Sequence, residues 1–415
     1  MADKPKSVLV VGFNTRPLAY SLKNAGYDVY AVDFFGDIDL HPNVKDSLVL
    51  IKELETEYSS IKDDYSKLLS ELTIKILKKY PKIDYLLIGS GLDDAYKERE
   101  EILNELKSMK YKLKSLNNDI ETIKKARNIE FIFNYLESHK IHVPFTVSFN
   151  DLEQYKAKLK YPFILKKKRS AGGINVFKIG NCEELLSKIK NLKLKNFNPL
   201  EWVFQEYLMG IPISCTTISN GKECEVISIN QQILGKQFLN SPKEFMYCGN
   251  IVPASLPKKD KNSISSISKM LSAELGLKGI NGFDYVLKDH SPYLMEINPR
   301  IPGSIRASET SLGLNLLDLH VKSFFPDDWN RVKKLINSRK FSVYATKFIY
   351  FTPKVIDKRF ISKINQIEFI HDKSEANREI LTGEPLCTIL VNAKKKSDSY
   401  SKALQVVNKI NKIIG

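Results

Sequence analysis

Asn281-Gly282-Phe283-Asp284-Tyr285-Val286, followed by Tyr293-Leu294-Met295-Glu296-Ile297-Asn298-Pro299-Arg300, reads as two strands joined by a polar turn over residues 287–292. Residues two apart on a strand point to the same face, so Glu296, Asn298 and Arg300 share one side. A hairpin turn can bring Asp284 opposite them. Two carboxylates and a carboxamide are hard oxygen donors, the set that suits Mg²⁺ with phosphate oxygens and water. An arginine beside them can clamp a phosphoryl or carboxylate group. The plain alternative is a hairpin with scattered surface charge. It fits poorly, because a core sheet normally keeps apolar residues on the face that Glu296, Asn298 and Arg300 occupy.

Working outward, a chain of 415 residues accommodates two or three domains. With 43% hydrophobic and 27% charged residues its composition is that of an ordinary globular protein. No apolar run approaches the length of a transmembrane helix, and the start leads straight into a strand, so the expectation is a cytoplasmic protein with no membrane partner. The five cysteines form no CxxC pair and indicate neither a disulfide framework nor a zinc site. His320, on an expected helix, reads as packed or hydrogen-bonded rather than catalytic. The net charge of +16 raises a nucleic-acid reading. The excess is spread through Lys-rich helices instead of being gathered into one arm, which argues for a generally basic surface and against a nucleic-acid partner.

The first stretch, Ser7-Val8-Leu9-Val10-Val11-Gly12, is a near-continuous apolar strand of the kind buried in a parallel sheet. A helix over residues 16–25 and a strand over 27–33 follow. Asp33 stands where a dinucleotide fold places its ribose-binding acid, but only Gly12 occupies a position of G-x-G-x-x-G, which argues against a nicotinamide site. A charged helix is expected over 62–80, a strand over 84–89 and one helix over 121–139, stopped before Pro144. Strands are expected over 341–352 and 385–391, and an amphipathic helix over 399–414.

Two further stretches suit a nucleotide. Tyr161-Pro162-Phe163-Ile164-Leu165-Lys166-Lys167-Lys168-Arg169-Ser170-Ala171-Gly172-Gly173-Ile174-Asn175-Val176 reads as strand, small-residue loop, strand. Backbone N–H groups of such a loop can approach phosphate oxygens, and a lysine adds a point charge. A plain hairpin with a glycine turn accounts for the same residues. Glu201-Trp202-Val203-Phe204-Gln205-Glu206-Tyr207-Leu208-Met209-Gly210 has the composition of a connector lining an adenine pocket, a weak signal by itself.

In this order the segments resemble the ATP-grasp superfamily. Together with Val11-Gly12-Phe13-Asn14-Thr15-Arg16, Asp33-Phe34-Phe35-Gly36-Asp37, Gln231-Gln232-Ile233-Leu234-Gly235 and Tyr247-Cys248-Gly249-Asn250, they resemble a mainly archaeal group of predicted ATP-dependent carboligases related to biotin carboxylase. The resemblance implies an α/β (α+β) fold. Residues 1–120 would form a Rossmann-like pre-ATP-grasp domain, and 121–330 the two-subdomain ATP-grasp core with a lid over about 145–210. Residues 331–415 would form a small C-terminal β-rich α/β domain completing the core. It further implies ATP and one or two Mg²⁺, or Mn²⁺ in their place, held by Asp284, Glu296 and Asn298. Lys166 would hold the α- and β-phosphates, with Ser170, Ala171, Gly172 and Gly173 folding over them. Gln205 would meet the adenine amino edge, Glu206 and Tyr207 would line the connector, and the Leu208 backbone would meet a ring nitrogen. Arg300 would bind the transferring phosphoryl group or the substrate carboxylate. Gln232, Tyr247, Asn250, Ser304, Arg306 and Glu309 are the substrate-pocket candidates, although Arg306 reads equally as a solvated arginine at a helix start. Homodimers are common in such families.

Two departures matter. Many members carry an early lysine in the helix before the Val143-Pro144 type of motif; here the nearest basic residues are Lys125 and Arg127, and Arg127 is taken as the ATP-binding candidate. Biotin carboxylases also need a lysine and a glutamate where this chain has Gln232 and Ser304, so the base for bicarbonate is missing. The expected reaction is therefore ADP-forming ligation of a carboxylic acid to an amine or similar nucleophile, through an acyl phosphate. The alternatives are a bicarbonate-dependent carboxylase on the same fold and a basic nucleic-acid-binding protein on an ATP-grasp scaffold.

Overall fold

The apolar run Ser7–Gly12 forms β1 and lies in the middle of a parallel sheet, as its burial on both faces demands. Asp28–Asp33 (β2), Asp46–Val49 (β3), Tyr85–Ile88 (β4) and Lys114–Ser115 (β5) complete it in the order β3-β2-β1-β4-β5. The computed structural model describes residues 5–53, 64–109, 112–155, 158–170, 172–194, 197–375 and 380–415. Arg16–Asn24 is the first helix. The helix expected over 62–80 is seen as Tyr65–Lys79; residues 62 and 63 lie outside the described residues. Asp33 is buried and accepts from Thr15 N and Oγ1, Phe35 N and Gly36 N. It is spent on holding the β1 and β2 loops together, which accounts for an acid at that position without a ribose.

Thr146–Ser148 (β6), Phe163–Lys167 (β7), Val176–Ile179 (β8) and Trp202–Glu206 (β9) form a separate four-stranded sheet, β6-β9-β7-β8. Its own core is largely aromatic, built on Phe149, Phe163, Trp202 and Phe204.

The third sheet has eight strands in the order β14-β13-β10-β11-β12-β15-β17-β16. They are Ile211–Asn220 (β10), Cys224–Leu234 (β11), Tyr247–Val252 (β12), Lys278–Lys288 (β13), Ser291–Asn298 (β14), Tyr344–Phe351 (β15), Ile370–His371 (β16) and Pro385–Ala393 (β17). The helix Lys258–Glu274 packs on β10, β11 and β14. The C-terminal helix Lys396–Ile414 covers β15 and β17 through Ala403, Val406, Val407 and Ile410. The C-terminal strands thus continue the same sheet as the hairpin.

Two local expectations are corrected. The hairpin turn is Asp289-His290 alone, both residues left-handed (φ 47° and 62°), so the strands run two residues further than the polar run 287–292 suggested. The helix expected over 121–139 is two helices, Ile120–Ala126 and Ile129–Ser138. Asn128 breaks the run by taking extended backbone angles and capping the second helix, its side chain accepting from Phe131 N.

His320 is buried where the parallel sheet meets the large one. Its Nδ1 accepts from Ile280 N at 2.9 Å, and Nε2 lies 3.1 Å from Leu116 O, to which it donates as a neutral imidazole. Burial pushes its pKa down to about 4, and His371 is pushed down to about 4 by burial and by Arg16. The unfolded chain takes up these protons first, so stability present above about pH 6.5 is lost as pH falls towards 4. We expect His320 to account for at most about 3 kcal/mol of that loss. Melting temperature followed across this window should therefore fall less steeply in His320→Gln than in the unsubstituted protein. Equal slopes would refute the assignment.

Candidate active site

The hairpin β13–β14 carries the chemistry. Asp284 and Glu296 face each other across the ladder, and a bulge between Asp284 and Tyr285, opposite Leu294 and Glu296, leaves Met295 without a partner. Asp284 accepts from Asn298 Nδ2 at 2.9 Å and from Gln232 Nε2, reaching over from β11, at 2.9 Å. Burial and the neighbouring Glu296 push its pKa up to about 7. Two carboxylates crowded in this way, with a carboxamide between their strands, form an oxygen-donor set whose repulsion a divalent cation would relieve, so the residues present fit Mg²⁺. Among the described residues no third Asp, Glu, His or Cys joins them.

The break at residues 127–128 delivers Arg127 to this pair. Its guanidinium donates to Glu296 through Nη1 and to Asp94 through Nη2 (2.9 Å) and Nε (3.1 Å). Nη2 also meets the carbonyl of Ser170 at 3.0 Å. Burial works against the charge, but Glu296 and Asp94 outweigh it and hold the group ionised. Arg127, not the exposed Lys125, is thus the basic residue of this segment that enters the cluster. Arg300, just beyond β14, is clamped by Asp93 through Nε. Burial would raise the Asp93 pKa, yet Arg300 and Arg127 bring it below the usual carboxylate range.

Asp93 and Asp94 were not singled out in the sequence. They lie in the loop after β4, at the carboxyl end of a parallel sheet where ligand sites gather, and that position is the signal that could have found them. Lys347, the one charged residue of β15, was also missed. It pairs with Asn250 of β12 in the ladder and donates to Gly303 O at 2.9 Å; burial pushes its pKa down to about 8.

Lys166 comes from β7. Burial lowers its pKa to about 8, with Glu296 pulling the other way and Arg127 adding to the fall. In the loop beyond it, Ala171 lies outside the described residues. Gly172 and Gly173 are left-handed, the carbonyl of Gly172 accepts from Tyr247 N at 3.1 Å, and a Cβ on Gly173 would stand 1.9 Å from Phe245 O. The glycine is therefore required by a close approach of two backbones as well as by φ. Gly173→Ala should lift the loop away from residues 245–247. We expect it to raise KM for ATP about tenfold while costing little stability, because the loop is at the surface. Unchanged saturation kinetics would show that the loop does not touch the nucleotide.

Gln205 is fully buried in β9, donates Nε2 to Thr146 Oγ1 at 2.8 Å, and keeps Oε1 without a partner among the described residues. An orphaned acceptor of this kind suits an amino group. Glu206 accepts from Phe145 N, and Leu208 is buried beyond it. The Tyr207 ring lies 4.6 Å under the ammonium of Lys178.

The substrate-pocket candidates divide. Tyr247 and Asn250 stay with the cluster, the phenol donating to Asn250 Oδ1 at 3.0 Å, and burial with Asp284 nearby holds its proton firmly. Ser304 lies 3.3 Å from Thr216 Oγ1. Arg306 bonds Glu309 at 2.5 Å and stacks 4.2 Å over Tyr20. Glu309 also receives Leu316 N at 2.8 Å and the Ser21 hydroxyl, so it ties the first helix to the helix Leu316–Ser323.

Comparison with known proteins gives a consistent frame. A family model described as an ATP-grasp domain matches residues 129–304. An uncharacterized protein of Methanocaldococcus jannaschii is 29% identical over 395 residues, covering 94% of this chain and 89% of that one. The L-amino acid ligase from Bacillus licheniformis superposes with a TM-score of 0.69 at 15% identity, over 98% of both chains. A carboxyaminoimidazole ribonucleotide synthase from Aspergillus clavatus, crystallised with ATP, gives 0.68 at 15% identity over 98% of this chain and 99% of its own.

Proposed function

We propose, from the premise that this chain belongs to the ATP-grasp superfamily, that it is an ADP-forming ligase joining a carboxylic acid to an amine or similar nucleophile. The observation that carries this reading is the Asp284–Glu296 pair, faced by Arg127, Lys166 and Arg300 on three different elements. Such a centre gathers cations around a triphosphate, and phosphoryl transfer needs little beyond positioning and charge neutralisation. Asp284, Glu296 and Asn298 would hold Mg²⁺, which when bound neutralises charge developing on the β- and γ-phosphates.

In this reading the chain's own groups act as follows. Lys166 and the loop at Gly172-Gly173 bind the phosphates, Gln205 Oε1 accepts from the adenine amino group, and Leu208 covers the ring. Arg300, fixed by Asp93, orients the substrate carboxylate so that its oxygen attacks the γ-phosphorus and ADP leaves. The amine nitrogen then attacks the acyl carbon, and phosphate departs with its bonding pair. The two residues standing where biotin carboxylases need a lysine and a glutamate support an acid as acceptor: Gln232 is engaged with Asp284 and Ser304 lies against Thr216. The division at residues 120 and 330, and the lid over about 145–210, belong to the same proposal. Among the described residues no helix is long and apolar enough to cross a membrane.

The test is ADP release by purified protein with MgATP against a matrix of carboxylic acids and amines, with hydroxylamine added to trap an acyl phosphate as its hydroxamate. Acid-dependent ADP release with hydroxamate formation is the expected result. ADP release that needs bicarbonate and no other acid would replace ligation with carboxylation.

A further inference from the structure

A cavity of about 590 Å³ opens between the ends of β4 and β5 and the start of β13. It shares no lining residue with the carboxylate–arginine cluster, and its size is that of a small-molecule site. Its walls are largely apolar, with Leu103 from the helix Tyr96–Ser108 and Phe324 beyond the helix Leu316–Ser323, both half-buried. Four cations line it: Arg99, Lys114, Lys222 and Lys278. The one carboxylate of the lining, Asp119, is engaged in capping the helix Ile120–Ala126, accepting from Thr122 N at 2.8 Å.

Arg99 is the unusual member. It is 5% exposed, yet only its Nε is bonded, to Leu92 O at 2.6 Å. Neither Nη nitrogen has a hydrogen bond or a carboxylate within ion-pair distance among the described residues. A guanidinium buried with no carboxylate bonded to it is costly, and burial pulls its pKa below the ordinary arginine value against the more distant charge of Asp93. Lys114 donates to Phe324 O at 2.8 Å and lies 3.7 Å over the Phe325 ring. Lys222 and Lys278 are exposed and have no ion-pair partner among the described residues.

We propose that this cavity is a second binding site, for a small amphipathic anion: a carboxylate or phosphate group that pairs with Arg99, carried on a flat apolar body that packs against Leu103 and Phe324. The rim lysines attract the anion, and the apolar walls select against inorganic ions. The occupant lies within electrostatic reach of the reaction centre, because Arg99 feels the charges of Asp93 and Arg300. It also touches the wall that steadies the hairpin: Asn118, in the lining, donates to Asn281 Oδ1 at 2.8 Å and to Pro299 O at 2.9 Å. The site is independent of the ligase reading, since it is defined by binding and not by turnover.

The experiment is a fluorescence titration of the full-length protein with 8-anilinonaphthalene-1-sulfonate, in saturating MgATP to keep the dye from a nucleotide site. Saturable binding of one dye per chain is expected. Arg99→Met should weaken it about tenfold, the worth of one charge-assisted contact. Leu103→Trp, which fills the cavity from a half-buried position of its wall, should abolish it, and the exposed pair Lys222→Glu with Lys278→Glu should weaken it without lowering the melting temperature. Displacement by 1-naphthoate or by 1-naphthyl phosphate then tells which anion is preferred, while 1-naphthylmethylamine should not compete. If Arg99→Met fails to fold, the rim pair and Leu103→Trp decide. No saturable binding in MgATP, binding indifferent to Leu103→Trp and the rim pair, or equal competition by the amine would each overturn the proposal.

Discussion

Glu296→Gln should lower ADP release by about 10²–10³-fold, the scale of removing one preorganised electrostatic stabiliser. The substitution keeps the shape of the side chain and its ability to accept from Arg127, and removes one negative charge from the pair with Asp284. Arg127 retains its two bonds to Asp94, so the fold should be preserved and the melting temperature should stay within a few degrees. The loss is therefore expected in turnover and in the Mg²⁺ dependence of thermal stabilisation by ATP. Turnover within a factor of three of the unsubstituted enzyme, with authentic substrates and saturating Mg²⁺, would remove Glu296 from the reaction centre.

Arg127→Ala should act on both stability and nucleotide binding. The guanidinium links the loop after β4, the hairpin and the carbonyl of Ser170, and its own side chain is 3% exposed. Breaking a buried pair by removing one partner costs about 3–5 kcal/mol. Here the partners Asp94 and Glu296 are 29% and 36% exposed, so water recovers part of their solvation. The expected cost is about 2 kcal/mol, a fall of a few degrees in melting temperature. KM for ATP should rise about tenfold or more, since the cation nearest the carboxylates is gone. Arg127→Lys should recover much of the binding, because it restores the charge, but less of the stability, because a lysine cannot bridge Asp94 bidentately. A double-mutant cycle with Asp94→Asn measures the coupling; a coupling near zero would show that the crowded charges are independent.

The hairpin was legible because a strand writes its faces into the sequence with a period of two, and Glu296, Asn298 and Arg300 fall on one of them. The same periodicity hid the break that separates Arg127 from Lys125, although both were named as the nearest basic residues. Apolar residues continue through both helices flanking residues 127–128, and only the capping chemistry of Asn128 marks the break. Asp93 and Asp94 sit in a loop that carries no period at all; what makes them partners of Arg300 and Arg127 is the meeting of the parallel sheet with the large one. The extent of the large sheet was hidden for a related reason. That β15 pairs with β12 is a contact between segments far apart in the chain, and no local pattern encodes it.

The pairing of β12 with β15 has a consequence for synthesis. A growing chain releases β12 from the ribosome well before its neighbour, so one side of that strand is bare while the helices up to residue 337 emerge. Bare strand edges recruit other strands, and nascent polypeptides are most prone to this while incomplete. Translation arrested ahead of Tyr344 should therefore leave an aggregation-prone stub; delivery of Tyr344–Phe351 covers β12 and moves the bare edge to β15, where it stays until Pro385–Ala393 emerges.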